Sequence, residues 1–400
     1  MSRQIAYESM SAYKPRLPSN NAYDYYISAA RQLKSSKAFT GNQPPTHEEV
    51  RWIERNQGAF NTLRQGCNRR YHWPFAETSM WFLFDELARL RELARLVNTR
   101  IRWAIAAKDG MDAVNDWRIG FKMASDIQGD LILVYLVGVA IESVVHAPII
   151  REMDFFSAHE CRELARTLIE SERTPDRIGT VVEGELKLAL RTMDSLLTEQ
   201  GINLEDLDLV GGLIPSSEES DPETQRTAER LRQEIQRLQK QPAAYQQLRH
   251  NLRREISHAF QAFADSLTLQ GGRYRPMLAK EYDTNTLFGY LMETLVPTLP
   301  GIAQRYWETR TRRRLMIAHL LLREYYLREG RYPASLDELN LQELAIDPFS
   351  GRPLIYRRTG DRYQLYSVGS DGKDDGGHNP EPGPGAEPPR DLFLVRGGWR

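Results

Sequence analysis

The spacing of the apolar residues is the feature that most constrains how this chain can fold. Between Ser79 and Ala107, apolar side chains recur at helical intervals and form a wide stripe, made of Phe82, Leu83, Leu87, Leu90, Leu93, Ala94, Leu96 and Val97. This is the pattern of an amphipathic α-helix that buries one face. Similar segments follow one another from Asn20 to about Thr198, so we expect a mainly α protein.

Short turn signals between these segments predict helical hairpins. Lys108-Asp109-Gly110 interrupts the apolar stripe, and a second helical pattern begins at Met111. A helix, an Asp-Gly turn and a returning helix form an αα-hairpin. This hairpin resembles one tetratricopeptide unit, but no second copy recurs at a fixed period, so we expect a stack of hairpins. We assign residues 20–300 to this helical-hairpin domain, after an N-terminal extension of residues 1–19.

Three local patterns refine this domain. Thr46 and Glu49 have the spacing of a capping box, which predicts the start of a helix. Residues 211–223 are polar, acidic and turn-forming, which indicates a linker or surface loop. The aromatic run at 71–75 either lines a pocket for a ring-bearing ligand or, as we favour, packs against the end of the bundle.

The most apolar stretch of the chain, Leu131–Ile141, predicts a buried core helix. It reaches the charged Glu142 after about half of the roughly 20 residues that a membrane span needs. The first residues, Met1–Glu8, contain no apolar region of the kind found in signal peptides.

After residue 300 the pattern changes from helical to mixed. Residues 311–329 predict a long helix, and β-branched and aromatic residues predict strands at about 354–358, 362–368 and 391–395. A three-residue loop, Thr359-Gly360-Asp361, is expected to join the first two strands. Because a two-stranded hairpin alone is marginally stable, we expect the sheet to pack on the helix. Residues 301–400 are thus predicted to be a small α+β module with an antiparallel sheet.

Three segments of this module resemble the ordered motifs of the major pseudopilins of type II secretion. They are YYLREGRYP at 325–333, DPFSGRPLIY at 347–356 and YSVGSDG at 366–372. The resemblance covers less than a quarter of the chain and implies the small helix-and-sheet fold of that family. Pseudopilins also begin with a prepilin-peptidase site and an apolar assembly helix, which this sequence does not contain, so pilus assembly is not implied.

The whole layout is similar to envelope proteins of planctomycete-type bacteria, which join a helical region to this same ending. Such relatives commonly carry an N-terminal membrane anchor. We therefore expect any contact with a membrane to run through an anchor that would precede Met1.

An acidic, glycine-rich loop at 369–378 is the candidate ion site. It places Asp371, Asp374 and Asp375 within five residues. Ca²⁺ takes about six to eight oxygen ligands, which flexible loops of this composition supply. The alternative is a solvated acidic turn, since Asp and Gly are common in surface turns.

The pseudopilin resemblance implies a specific set of calcium ligands in this chain. They would be the backbone carbonyl of Val368 and the carboxylates of Asp371 and Asp391, with Asp374 or Asp375 as additional ligands. Calcium bound there would tie the last predicted strand to the rest of the module.

Composition and motifs exclude several classes of function. With 53 Lys and Arg against 54 Asp and Glu, no net field steers the chain toward nucleic acid. The His-Glu-x-x-His zinc motif, the Gly-x-Ser-x-Gly elbow and Gly-rich phosphate loops do not occur in the sequence, so we nominate no catalytic residue. Cys67 and Cys161 are either two separate buried thiols, as we favour, or one disulfide.

These observations predict a non-enzymatic interaction or structural protein with a protein partner. The resemblance implies the cell envelope, on its periplasmic side, while a cytoplasmic location is the alternative. Two other functions remain as alternatives. An enzyme with its active site in a groove of the helical domain would show a deep pocket with converging acids or histidines, and a carrier of an apolar ligand would show a large apolar cavity.

Overall fold

A computed structural model shows a mainly helical protein with two small antiparallel sheets, which confirms the predicted fold class. It describes residues 15–34, 39–41, 43–74, 83–129, 131–174, 176–199, 201–202, 222–296, 298–377 and 391–394. The described residues group into two compact units. The first unit draws on Met1–Ile178, Gly271–Arg273 and Trp307–Arg400, and the second on Gly179–Gln270 and Tyr274–Tyr306.

The predicted division at about residue 300 stays a prediction. The compact units group the C-terminal residues with the N-terminal helices, but spatial grouping is not a test of independent folding. Most of the predicted N-terminal extension, residues 1–14, lies outside the described residues. So does the predicted linker, except for Pro222 and Glu223, which begin a helix.

The first unit contains a run of packed helices. They are α1 (Ala22–Gln32), α2 (His47–Arg55), α3 (Gln57–Cys67), α4 (Leu83–Ala106), α5 (Gly110–Ile127), α6 (Ile132–Arg151) and α7 (Ala158–Arg173). Helix α1 packs against α3 and α4, while α4, α5 and α6 pack against one another. Gly120 permits this close packing, because a Cβ there would overlap the side chains of Val97 and Val145.

Capping boxes begin two of the helices described above. The predicted capping box is confirmed, since the Thr46 hydroxyl accepts from the Glu49 N–H and the Glu49 carboxylate accepts from the Thr46 N–H. Ser157 and Glu160 form the same box at the start of α7. In each box, two backbone donors that the helix leaves unsatisfied gain an acceptor.

The Asp-Gly turn predicted between α4 and α5 is also present. The Asp109 carboxylate accepts from the Asp112 N–H at 2.9 Å and begins α5. Helices α4 and α5 therefore form the expected αα-hairpin, whereas the tetratricopeptide resemblance stays a prediction.

Helix α6 contains the most apolar stretch of the sequence. It continues past Glu142 to Arg151, because Glu142 and His146 find partners inside the unit. It is the only helix in the described part of the chain that is long and apolar enough to cross a membrane by length and composition. Most of its surface is nevertheless buried against α4 and α5, which is the packing of a core helix.

The second unit is smaller and also largely helical. It contains most of α8 (Ile178–Leu196), the two-residue strands β1 (Leu197–Thr198) and β2 (Gly201–Ile202), and the helices α9 (Pro222–Gln239), α10 (Pro242–Ser266) and α11 (Leu287–Leu295). Helix α9 buries a narrow stripe that includes Leu231, Ile235 and Leu238 and exposes its charged residues. Its sequence shows this pattern of one thin apolar face.

The C-terminal helix, α12, spans Leu299–Glu329. The prediction that it starts at residue 311 is wrong. Pro300 and Gly301, which usually interrupt helices, lie in its first turn. Proline is tolerated there, since an N–H in the first turn has no acceptor within the helix.

A β-hairpin follows α12. Strands β3 (Ile355–Thr359) and β4 (Arg362–Tyr366) pair antiparallel, from Ile355 opposite Tyr366 to Thr359 opposite Arg362. The turn contains two residues rather than the predicted three, and Gly360 supplies its positive φ of 58°. The predicted third strand is reduced to an isolated bridge between Ser367 and Leu392 within 391–394, and residue 395 lies outside the described residues.

The hairpin packs one face on α12, as predicted. His319 of α12 and the Tyr363 hydroxyl are hydrogen-bonded at 2.7 Å, and both residues are buried. The Tyr363 ring also lies edge-on to Tyr332, with centroids 4.7 Å apart. Arg314 of α12 donates to the Ile346 carbonyl at 2.6 Å, which ties the segment before the hairpin to the same helix.

Candidate functional site

The acidic loop predicted to bind an ion covers the face of the hairpin that points away from α12. On that face, the Tyr366 hydroxyl donates to Asp374 Oδ1 at 2.7 Å and Arg357 donates to Asp374 Oδ2 at 3.1 Å. The side-chain amide of Gln364, which is buried, donates to the Gly377 carbonyl at 2.9 Å. The loop is therefore attached to the sheet by direct protein contacts.

The electrostatics of Asp374 fit this attachment. Partial burial opposes its ionisation, but hydrogen bonds from Tyr366 and the Gly376 N–H, together with Arg357, hold its pKa below the usual value. The pKa of Tyr366 is raised, first by burial and then by its bond to Asp374. Asp374 is thus an ionised acceptor with charged and neutral donors around it.

Asp391 closes the other end of the loop. Its carboxylate accepts from the Asp375 N–H at 3.3 Å and from the Gly377 N–H at 2.9 Å. Burial raises the pKa of Asp391. The hydrogen bonds from the Gly377 and Asp375 N–H groups oppose this rise, and the nearby charges of Asp375 and Asp374 add to it. Asp391 is therefore a buried acceptor that ties residues 391–394 to the loop.

Asp347 joins the turn that it begins to the end of β4, a role that was missed from the sequence. This fully buried carboxylate accepts from the Phe349 N–H at 3.0 Å, the Ser367 hydroxyl at 2.8 Å and the Val368 N–H at 3.0 Å. Burial raises its pKa, while these hydrogen bonds oppose the rise. Two of the motif segments, 347–356 and 366–372, therefore meet at one side chain.

The five residues predicted as calcium ligands all lie in the described part of the chain, and the carboxylates of Asp371, Asp374 and Asp391 accept hydrogen bonds from the protein. Val368 uses its N–H for Asp347, and Asp371 accepts from the Lys373 N–H at 3.1 Å in a local turn. Among the described residues, no group of three or more His, Cys, Asp or Glu side chains is placed to hold a metal ion. Calcium also binds carbonyl oxygens, so calcium binding stays a prediction.

A buried network links α6 to α12 in the first unit. Arg313 binds both carboxylate oxygens of Glu142 at 2.6 Å. The Gln128 side chain bridges the pair, accepting from Arg313 at 2.9 Å and donating to Glu142 at 2.6 Å. Burial opposes ionisation of Glu142, but Arg313 and His146 outweigh it and hold the pKa of Glu142 well below its usual range.

His146 extends this network deeper into the unit. Trp117 Nε1 donates to His146 Nδ1 at 3.0 Å, which leaves the proton of the neutral ring on Nε2. Nε2 lies 3.2 Å from Glu142 Oε1 and donates to it. The tautomer and the orientation of His146 are thus set by its two neighbours.

Glu172 accepts hydrogen bonds from two arginines of α12, Arg310 and Arg313. Arg310 donates to Glu172 at 2.9 Å and to Asp176 at 2.7 Å, and Arg313 reaches Glu172 at 3.5 Å. Glu172 itself is buried. Opposite charges therefore lie side by side throughout this network, as buried charges require.

One signal in the sequence points to this network. Glu142 and His146 stand four residues apart on an otherwise apolar helix, so they share a face that must be buried. A charge buried there needs an opposite charge, but nothing in the sequence identifies Arg313 as that partner.

A second buried ion pair joins α4 to the capping box of α2. The Arg102 guanidinium bonds to Glu49, and both side chains are almost completely buried. Burial raises the pKa of Glu49, but Arg102 and the N–H groups of Thr46 and Thr40 outweigh this and lower it to about 2. Glu49 therefore caps a helix and neutralises a core arginine at once.

The two cysteines are separate in the structure, as favoured from the sequence. Cys161 is buried and Cys67 is half-buried. Burial raises the pKa of each thiol to about 12, so neither is a thiolate at neutral pH. This is the chemistry of inert packing residues.

The aromatic run at 71–75 contributes to packing. Tyr71 is buried, and its ring lies against Tyr23 and Tyr26 with centroids 6.2 and 6.5 Å apart. Phe75 lies outside the described residues. Tyr71 therefore fills the interior beside α1, in agreement with the interpretation that we favoured.

Two surface grooves lie within the separate units. A groove of about 600 Å³ in the second unit is lined mainly by polar side chains, and Glu199 is its one carboxylate. A groove of about 550 Å³ in the first unit is lined by Ser19, Asn20, Asn21, Asn68, Arg69, Arg70 and His72. Neither groove brings together a pair of acids or of histidines.

Comparison with models of protein families, with curated proteins and with solved structures finds no match to this chain.

Proposed function

We propose that this protein is a non-enzymatic interaction or structural component of the cell envelope, in which a helical region carries a pseudopilin-like helix-and-hairpin module. One observation carries the proposal. The acids, arginines and histidine gathered inside the first unit are committed to one another, as in the bonds of Glu142 to Arg313 and His146. Groups held in this way hold helices together, whereas an active site keeps acids and bases accessible to a substrate.

The location in the envelope is supported by the motif resemblance. The segments that carry it converge on a buried carboxylate, Asp347, and on a ring cluster around Tyr332 and Tyr363. Because residues of the motif segments contact one another in the fold, their joint occurrence in one sequence has a structural reason. The same resemblance supports a protein partner.

The location is tested by fractionating cells that express the native gene with a small internal tag. We expect the protein in the envelope fraction, together with periplasmic or membrane markers. Recovery with cytoplasmic markers alone would contradict the proposal.

The non-enzymatic character is tested with purified protein and model ester, peptide and phosphate substrates. We expect no turnover above that of heat-treated protein. Turnover that is lost in His146→Gln but retained in the matched variant His319→Gln would favour the enzyme alternative. The second histidine is equally buried but lies outside the Glu142 network, so it controls for general damage to the core.

A further inference from the structure

The register of the hairpin shows which backbone groups of β3 point away from β4. Thr359 and Arg362 flank the two-residue turn and form the hydrogen-bonded pair that closes it. Bonded pairs alternate along an antiparallel ladder, so residues 355, 357 and 359 bond to β4. Tyr356 and Arg358 therefore direct their N–H and C=O groups to the opposite side.

The other side of β4 provides an independent check of which residues point toward β3 and which point away. The Ser367 N–H and C=O bond to Leu392 at 3.1 and 2.8 Å. Ser367 is one residue beyond the bonded position 366, so its backbone points away from β3. Strand β4 therefore lies between β3 and the bridge at Leu392. Just before β3, the outer side is taken by residues 345–347, through the bridge of Ile346 to Pro353 and the bond of the Leu354 N–H to the Ala345 carbonyl at 2.7 Å. Within β3, no strand in the described part of the chain pairs with Tyr356 or Arg358 on this side.

This outer edge is exposed and carries positive charge. Residues 357–362 are all exposed to solvent, and Tyr356 is half-buried. The edge region has four arginines, Arg352, Arg357, Arg358 and Arg362, against one acid in the same stretch, Asp361. Arg357 is paired with Asp374, and Arg358 donates to the Tyr332 carbonyl at 2.7 Å. Among the described residues, Arg352, Arg358 and Arg362 have no carboxylate partner.

The charge selects the kind of strand that can add to this edge. A second copy of β3 would place like-charged arginines opposite one another, which is unfavourable across a strand pair. An extended acidic segment would gain both the free backbone hydrogen bonds and opposite charge. The exposed edge is thus unsuited to self-association and complementary to an acidic strand.

We propose that the outer edge of β3 docks an acidic, extended segment of a protein partner, which adds to the sheet next to Tyr356 and Arg358. This deepens the interaction role proposed above and rests on it. The backbone of Tyr356 and Arg358 supplies the hydrogen bonds, and the arginines around the edge select for acidic side chains.

The test uses the full chain and two short synthetic peptides, one of alternating glutamate and valine and one of alternating lysine and valine. The acidic peptide is expected to bind with an affinity that falls as salt is added. It is also expected to slow hydrogen exchange at the amides of Tyr356 and Arg358 but not at Arg357, which already bonds to β4. Equal binding of both peptides, or unchanged exchange at Tyr356 and Arg358, would overturn the proposal.

A matched pair of variants separates the backbone from the charge. Arg358→Ala keeps the outward N–H and removes one charge, whereas Arg358→Pro also removes the N–H without touching the bonds of β3 to β4. We expect Arg358→Pro to bind the acidic peptide at least about tenfold more weakly than Arg358→Ala, with unchanged thermal unfolding as the check on folding. Identical affinities would remove the strand-addition mechanism, while the envelope location and the absence of turnover would be unaffected.

Discussion

At the scale of single residues, the interior of the first unit depends on charges that neutralise one another. Arg313 and Glu142 lie on helices far apart in sequence, and each is buried where an unpaired charge would be costly. Gln128 and His146 bond to the same pair, and Arg313 also reaches Glu172 at 3.5 Å. The pair is therefore stabilising only as a whole, and losing one partner is worse than losing both.

We predict that Glu142→Leu lowers the free energy of unfolding by about 3–5 kcal/mol, because it leaves Arg313 buried without its main acceptor. The double variant Glu142→Leu/Arg313→Leu should recover much of this loss, since no unpaired charge remains. Urea denaturation followed by circular dichroism measures both. The control is Arg328→Ala, which removes a half-exposed arginine and should cost less than about 1 kcal/mol, because its partner Glu324 keeps the ion pair with Arg162. A double variant less stable than Glu142→Leu would contradict this account.

The calcium prediction also belongs to single residues. If the loop binds calcium, Asp371→Ala lowers the melting temperature in calcium and leaves it unchanged in chelator, because the lost ligand matters only when the ion is bound. Asp361→Ala, an exposed acid in the hairpin turn, is the control for charge alone. An equal loss in both buffers would remove the metal hypothesis and leave the direct contacts of Asp374 and Asp391 to hold the loop.

At the scale of elements, the start of a helix is fixed by hydrogen bonds to the loop before it, and that loop can pack closely against the first turn. Before α11, the Asp283 carbonyl accepts from the Thr286 N–H at 3.0 Å and from the Thr286 hydroxyl at 2.8 Å. The same carbonyl lies so close to Gly289 that a Cβ there would overlap it. Gly289 is therefore required by a close approach of the preceding loop to the helix.

We predict opposite effects for alanine at two helical glycines. Gly289→Ala should destabilise the protein by roughly 1–3 kcal/mol, because the Asp283 backbone must move. Gly301→Ala meets no other atom and should be neutral or stabilising by up to about 1 kcal/mol, since alanine favours the helix. Thermal and urea unfolding of the two variants give both values. Equal destabilisation of the two variants would show that the close approach of the Asp283 carbonyl to Gly289 does not determine the cost of the substitution.

At the scale of the whole molecule, the net charge is close to zero, but several buried carboxyl groups have strongly shifted pKa values. The pKa of Glu49 falls from 4.5 unfolded to about 2 folded, and that of Glu142 is lowered in the same direction. The folded protein then binds fewer protons than the unfolded chain as the pH falls below 4.5, so its stability decreases there. Asp116 has the opposite sign, because burial raises its pKa from 3.8 to about 6.

We predict that stability falls steeply between pH 4.5 and pH 2, with the Glu49 share of this loss on the order of 3 kcal/mol. Glu49→Gln should be less stable than the parent at neutral pH but lose less stability on acidification. The parent should gain stability from Asp116 as the pH falls from 6 toward 3.8, and Asp116→Asn should not show this gain. Urea titrations at a series of pH values measure each slope, and parallel curves for parent and Glu49→Gln would contradict the assignment.

Predictions from the sequence succeed where the interacting groups are neighbours along the chain. The Thr46–Glu49 capping box needs only residues three apart, and the hairpin needs only β-branched and aromatic residues on both sides of a glycine turn. The same local view placed the start of α12 incorrectly, since Pro300 and Gly301 indicate a break unless the helix begins at that point. The sequence analysis also missed the ion pair of Glu49 with Arg102, which is 53 residues away.

The sequence by itself determined the helical class, the hairpins and the change to a sheet near the C-terminus, because apolar periodicity and turn residues act over one or two turns of chain. Only the tertiary structure decided that Glu142 meets Arg313, 171 residues away, that the acidic loop lies on the hairpin, and that no described strand pairs with Tyr356 and Arg358 on the outer side of β3. Burial makes these contacts necessary, since a charge or a backbone group removed from water must find a partner. Which partner it finds depends on how the elements pack, and residue spacing does not encode that.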